Sequence, residues 1–173
     1  MNISFRPIEL SDVPQIVRWL RDEEVARWWW DVADKTDEDL AKEYSDKAYD
    51  PRTNRFVITV DGVGIGIIQA AVLSNYPEAA AEVDIPNAAG VDVYIGESDW
   101  RDRGVGTLTI RQFVDEIVFA IPGVETCTID PEPANTRAIR AYEKAGFQHV
   151  RTYRSTDTGY DVYLMRQERT ATA

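Results

Sequence analysis

Apolar residues recur with two periods along this chain, and each change of period marks an element. Ile3 to Ile8 reads as a first strand. Three-to-four spacing follows: Val13, Ile16, Val17 and Leu20 share one helix face, with Ser11 as the expected N-cap and Pro14 in the first turn. Thr36 is placed to cap a second helix, on which Leu40, Tyr44 and Ala48 recur at helical spacing. Arg55 to Val60 and Ile65 to Leu73 read as strands, and Asp61-Gly62 between them is a tight-hairpin signal. From Ser74 to Gly90 both periods are lost, which predicts a long loop or short irregular insertion over a cleft.

A strand pattern returns from Gly90 to Gly96. After a glycine-containing turn, Leu108, Phe113, Val114, Ile117 and Val118 are expected to point inward from a helix. Thr126 to Ile129 reads as the next strand. Asn135 is placed to cap a helix ending at Gly146, a residue suited to the left-handed C′ position. Val150 to Arg154 and Val162 to Met165 form two last strands around a turn at Asp157 to Gly159. The order β-α-α-β-β-β-α-β-α-β-β predicts an α/β (α+β) class, with a mixed central sheet flanked by helices. A length of 173 residues predicts a single domain spanning 1–173.

Composition adds exclusions. No apolar run approaches the length needed to span a bilayer, and Met1 leads into a strand pattern rather than a signal peptide, so a cytoplasmic location is expected. The only cysteine, Cys127, rules out an internal disulfide, and its neighbours Thr126 and Thr128 read it as a buried strand residue. No Cys/His cluster points to a metal. The net charge of -11, from 30 acids against 19 bases, argues against nucleic acid and anionic lipid as partners. Solubility is its ordinary meaning; an acidic cleft for a cationic substrate is the sharper one, and requires the acids to cluster.

The most informative stretch is Trp100-Arg101-Asp102-Arg103-Gly104-Val105-Gly106-Thr107, between a strand and a helix. Glycines let a backbone approach an anion closely, and the first amides of a helix have no partner within it. The turn lacks the Gly-Lys-Ser/Thr ending of a P-loop and the first glycine of a dinucleotide fingerprint, so alone it reads equally well as a plain helix start.

Arg101-x-x-Gly104-x-Gly106 is followed, about one helix and one strand later, by Asn135-Thr136-Arg137-Ala138-Ile139-Arg140-Ala141-Tyr142-Glu143-Lys144-Ala145-Gly146-Phe147. Together these resemble the two signatures of the GNAT acetyltransferase superfamily, and the resemblance covers essentially the whole chain. It implies the GNAT acyl-CoA N-acyltransferase fold and acetyl-CoA as co-substrate. A narrower resemblance, to the type-Ib aminoglycoside 6′-N-acetyltransferases, is carried by Gly90-Val91-Asp92, by Thr128 to Asn135, and by Val25-Ala26-Arg27-Trp28-Trp29. The acidic insertion between Leu73 and Gly90 has a counterpart there, although Tyr76 stands where that subfamily often has tryptophans. Acylases of siderophore hydroxylysine share much of the pattern. The alternatives kept open are therefore another amine (hydroxylysine, a polyamine or a protein N-terminus) and a non-catalytic module that binds cationic drugs.

The resemblance implies a role for each candidate. Asp92 contacts the reacting amine as base, where the bland reading is a strand-end aspartate in solvent. Asp130 pairs with a substrate ammonium, against an ordinary turn aspartate. Tyr142 protonates the departing thiolate or holds it by a hydrogen bond, and lines the cofactor site, against a core aromatic. Asn135 caps its helix and also meets the pantetheine arm. Arg101, Arg103, Gly104, Val105, Gly106 and Thr107 surround the pyrophosphate, mostly through backbone amides, while Val93, Tyr94 and Ile95 lend strand backbone to the pantetheine and acetyl carbonyl. Glu78, Glu82 and Asp84, with Tyr76, are either a solvated loop face or the negative wall of an acceptor site.

Trp28, Trp29 and Trp30 cannot share one helix face, so at least one reaches the surface or a cleft wall. Trp28 and Trp29 are assigned to the acceptor, with Trp29 the expected contact. His149 receives no role. The expected partners are acetyl-CoA and a cationic aminoglycoside, for a monomer or homodimer.

Overall fold

The computed structural model describes residues 1–29, 31–45 and 50–170. Trp30 of the tryptophan run and Ala48 of the second helical pattern lie outside the described residues. Seven strands form one mixed sheet in the order β1-β2-β3-β4-β5-β7-β6. They are β1 (Ile3–Pro7), β2 (Thr53–Val60), β3 (Val63–Val72), β4 (Ala88–Ile95), β5 (Thr126–Ile129), β6 (Gln148–Arg154) and β7 (Asp161–Glu168). β4 and β5 run parallel, whereas β1/β2, β5/β7 and β6/β7 are antiparallel. The helices are α1 (Val13–Leu20), α2 (Glu23–Trp28), α3 (Asp37–Ser45), α4 (Pro77–Val83), α5 (Val105–Phe113) and α6 (Thr136–Ala145).

The chain divides into two compact units. The first holds residues 1–69 and 93–105, and the second holds 70–92 and the residues from 106 onward. In the first unit α1 packs Val13, Ile16, Trp19 and Leu20 with Leu40 and Tyr44 of α3, Val57, Ile67 and Tyr94 into one core cluster. Trp19, absent from the helix face read from sequence, is among the most buried large side chains. In the second unit Val83, Val162 and Leu164 form a smaller cluster, with Leu73, Ile85, Val150 and Tyr153 packed against it.

Local chemistry accounts for several element ends. Asp61 and Gly62 both take left-handed backbone, φ 49° and 84°, as a two-residue hairpin turn requires. Thr36 and Asp39 cap α3 reciprocally: the Asp39 N–H donates to Thr36 Oγ1 at 3.1 Å, and the Thr36 N–H to Asp39 Oδ2 at 2.9 Å. Asn135 Oδ1 accepts the Ala138 N–H at 3.2 Å, and Gly146 closes α6 at φ 113°. Cys127 is buried on β5, and burial pushes its thiol up.

Four expectations are corrected. Ser11 is not the cap of α1: it lies inside a 3₁₀ turn, Leu10–Asp12, whose reciprocal cap joins Glu9 and Asp12. The stretch 74–90 is not structureless, because Pro77–Val83 forms α4. Proline suits a first helical turn and the three alanines that follow favour helix, and these local preferences outweigh the missing period. A short helix, α2, also forms and ends on Trp28; Asp22 caps it by accepting the Glu24 and Val25 N–H groups. Leu108 is exposed rather than inward. α5 begins at Val105, which is buried, so the inner face runs through Ile110, Phe113 and Val114 and on to Val118 in a π-helical continuation.

Candidate active site

The β4/β5 ladder fixes the two key carboxylates. Its parallel register runs from Ala88↔Thr126 to Gly90↔Thr128. Asp92 lies on β4 two residues beyond the last pair, and Asp130 lies one residue past the end of β5, which brings the two carboxylates to the same end of neighbouring strands. Solvent reaches Asp130, yet protein crowds it closely. That burial, followed by the charge of Asp92, raises its carboxyl to about 7. The Tyr142 phenol on α6 is also pushed up, by burial first and then by the charges of Asp92 and Asp130. The second unit thus brings together two carboxylates and one phenol, each close enough to alter another's ionisation.

Tyr153 on β6 joins this group. Burial raises its phenol, and Asp130 and Glu82 raise it further. Sequence reading passed over it, because β6 carries no apolar alternation to mark which of its faces turns inward. Arg151, two residues earlier, stands 5.0 Å over the Tyr153 ring and donates to the carbonyls of Glu82 and Val83, the latter at 3.0 Å.

The acids of the insertion separate. The Glu82 carboxylate accepts the Ser155 hydroxyl at 2.9 Å, the Thr156 N–H and the Thr156 hydroxyl, which hold it below the usual carboxylate range. It fastens α4 to the β6–β7 turn. Glu78 is exposed in the first turn of α4, Asp84 is exposed at its C-cap with φ 51°, and half-buried Tyr76 stands at its N-cap.

The first unit holds Val93 to Ile95, the turn from Arg101 to Val105 and the tryptophans Trp28 and Trp29, and the second begins again at Gly106. Asp102 and Gly104 take left-handed backbone, φ 60° and 76°, and turn the chain into α5 at Val105. The amides of Val105, Gly106 and Thr107 therefore open a helix and have no carbonyl partner within it. A Cβ at Gly104 or Gly106 would meet nothing within 4 Å, so both glycines face open space. Thr107 also donates its hydroxyl to the Ala141 carbonyl at 3.3 Å. Arg103 is exposed.

Arg101 departs from the expected role. Its guanidinium turns inward to the Ile95 and Gly96 carbonyls and to Asp22, and its own N–H donates to Ser98 O. The Ile95 carbonyl is thereby occupied. Tyr94 is buried, and burial together with Tyr44 holds its phenol well above the ordinary value. Trp29 meets the Tyr94 ring edge-on at 4.8 Å, and Arg27 lies 5.7 Å over Trp28.

An acid pair beside a phenol, together with a glycine turn that opens a helix, suits acyl transfer to an amine. Residues 9–155 match the family described as the acetyltransferase (GNAT) domain. The chain belongs to the GNAT acetyltransferase family. Among the relatives of this GNAT chain is an aminoglycoside N(6′)-acetyltransferase type 1 of Klebsiella pneumoniae, 28% identical over 168 residues that cover 95% of this chain and 83% of the relative. A kanamycin resistance protein of Rhizobium radiobacter is 38% identical over 81 residues, covering 47% of this chain and 73% of that one. The fold is also that of a crystal structure of the aminoglycoside acetyltransferase AAC(6′)-Ib in complex with coenzyme A and kanamycin. The TM-score is 0.81 and the identity 25%, across 97% of this chain and 95% of the other. Among the described residues of this GNAT chain, no helix is long and apolar enough to cross a membrane.

Proposed function

We propose that this GNAT chain is an aminoglycoside 6′-N-acetyltransferase, which moves the acetyl group of acetyl-CoA onto a cationic aminoglycoside in the cytoplasm and so confers resistance. The grouping of Asp92, Asp130 and Tyr142 carries the reading, and the similarity to the Klebsiella and Rhizobium proteins supports the choice of substrate.

In this reading the bound 6′-ammonium lies against Asp92 and Asp130. It must lose a proton before its nitrogen can attack a thioester, and Asp92 accepts that proton directly or through water. The nitrogen bonds to the acetyl carbon, its second proton passes to solvent, and the C–S bond breaks. The thiolate takes a proton from Tyr142, which solvent restores. Acetyl-CoA supplies the activated acyl group, its pyrophosphate lying on the backbone amides of Gly104 to Thr107. Trp28 and Trp29 provide aromatic planes for the sugar rings. Glu78 and Asp84 add negative charge to the acceptor side, whereas the Glu82 carboxylate is already committed to Ser155 and Thr156. Direct transfer in a ternary complex draws its rate from positioning amine and thioester together.

The test is thiol release from acetyl-CoA with a panel of amines. Release with kanamycin, and mass spectrometry placing the acetyl on N6′, is the expected result. Release only with a hydroxylysine, polyamine or peptide would move the substrate assignment. Drug binding without release from any amine would turn the reading to a binding module.

A further inference from the structure

Arg101 belongs to the signature that resembles a phosphate site, yet its side chain retains only 11% exposure and spends its donors elsewhere. Nε donates to the Ile95 carbonyl at 2.9 Å and one terminal nitrogen to the Gly96 carbonyl at 2.7 Å. The other terminal nitrogen pairs with Asp22 Oδ1 at 2.9 Å. A cation held in this fork against a carboxylate has little charge left for a phosphate.

Asp22 is itself shared. The same Oδ1 accepts the Glu24 and Val25 N–H groups at 3.1 and 3.3 Å and so starts α2. With six residues, α2 is too short to hold itself and depends on its ends. Its N-terminus reaches Ile95 and Gly96 through Asp22 and Arg101, and its C-terminus leads into Trp29, seated on Tyr94. Both ends of the helix that ends on Trp28 and leads into Trp29 therefore rest on one three-residue stretch of chain, 94–96. The next residue, Glu97, fastens α1 by accepting Gln15 Nε2 at 3.0 Å and Trp19 Nε1 at 2.8 Å.

We propose that Arg101 is a positioning residue, which with Asp22 locks the cofactor loop to α2 so that the cofactor and acceptor sites are set by one contact. The proposal rests on reading the chain as an acetyl-CoA-dependent acetyltransferase with α2 on the acceptor side. It separates two roles within the signature: the backbone at Gly104 to Thr107 receives the phosphates, and the arginine orients the loop that presents it.

The decisive variant is Asp22→Asn, because Asp22 lies outside the loop and, being an anion, is no phosphate ligand. Coenzyme A affinity is measured by calorimetry and both KM values by thiol release with kanamycin, for the wild type, Asp22→Asn, Arg101→Gln, Arg101→Lys and the double variant Asp22→Asn/Arg101→Gln. Thermal unfolding is followed in parallel. Asp22→Asn and Arg101→Gln should each weaken coenzyme A and raise the kanamycin KM several-fold, with a smaller change in kcat. The double variant should be no worse than Arg101→Gln alone, as for two halves of one contact. Arg101→Lys should recover part of both affinities, and remains informative if Arg101→Gln fails to fold. Loss of coenzyme A affinity in Arg101→Gln, with Asp22→Asn at wild-type values, would make Arg101 a direct phosphate contact and overturn the proposal. So would lowered unfolding temperatures with every KM unchanged. A wild-type chain that binds no coenzyme A would overturn the acetyltransferase reading and this proposal with it.

Discussion

Asp130 carries a carboxyl whose ordinary value of 3.8 is raised to about 7 by burial and by neighbouring Asp92. The folded chain therefore holds a proton that the unfolded chain releases, and ionisation of Asp130 lowers stability progressively as pH rises across that window. Asp130→Asn should raise the unfolding temperature at pH 8 and change it little at pH 3, where Asp130 is largely neutral in both the folded and the unfolded chain; calorimetry at the two pH values checks this. Binding of a cation needs the ionised form, so kanamycin affinity should strengthen as pH rises through about 7. Asp92→Asn removes the neighbouring charge and should move that rise to lower pH, a shift visible in binding titrations even where turnover is lost. Tyr142→Phe should lower kcat about 100-fold and leave the acetyl-CoA KM nearly unchanged, the pattern of a proton donor acting in the transition state. Asp92, Asp130 and Tyr142 were legible in the sequence as candidates, through their motifs. Their mutual influence was not, because it arises from strands and a helix far apart in the chain.

At the scale of elements, α4 is held by chemistry that no local pattern announces. Glu82 ties it to Ser155 and Thr156, while Arg151 grips its last carbonyls. Glu82→Gln keeps the shape and removes the charge, and should cost about 1 kcal/mol of stability in urea unfolding near neutral pH. The Glu82 carboxyl is held below its ordinary 4.5, so its contribution is present above that value and fades as pH falls through the lowered one. The difference between wild type and Glu82→Gln should therefore shrink in acid. Gly96 poses a steric case: an added Cβ would lie 2.1 Å from Trp19 Cγ, in the core beneath α1. Gly96→Ala should unfold at markedly lower temperature than wild type in circular dichroism, because a buried indole cannot move aside cheaply. The Thr36 and Asn135 caps and the Asp61-Gly62 turn were readable since each depends on residues a few positions apart. The start of α1, the helix α4 and the outward face of Leu108 were misjudged, because neighbouring turns and packing set where those helices begin and in what phase.

For the whole molecule, the net charge of -11 bears on encounter with a polycation. Its field should speed association with an aminoglycoside and be screened by salt. The kcat/KM for kanamycin is expected to fall as sodium chloride rises from 20 to 300 mM (about 22 Å to 6 Å of screening length), with kcat little changed; stopped-flow or initial-rate measurements check it. A weakly charged amine assayed alongside should show a shallower dependence. The charge was plain from composition, but how the acids divide was not: Asp92 on β4 acts on Asp130 just past the end of β5, while Glu82 works for the β6–β7 turn.

The sequence by itself determined the order of the strands, the mixed-sheet class, the glycine turn into a helix and the two signatures of an acetyltransferase. All of these rest on short-range rules, such as periodicity, caps and turns, or on motifs contiguous in the chain. Only the tertiary structure decided what each charged side chain does. Burial and the distance to other charges govern ionisation and pairing, and neither is a property of spacing along the chain. That is why Arg101, read within a phosphate motif, is found clamping β4 to Asp22, and why Asp130, read as the partner of a substrate ammonium, carries a carboxyl raised to about 7.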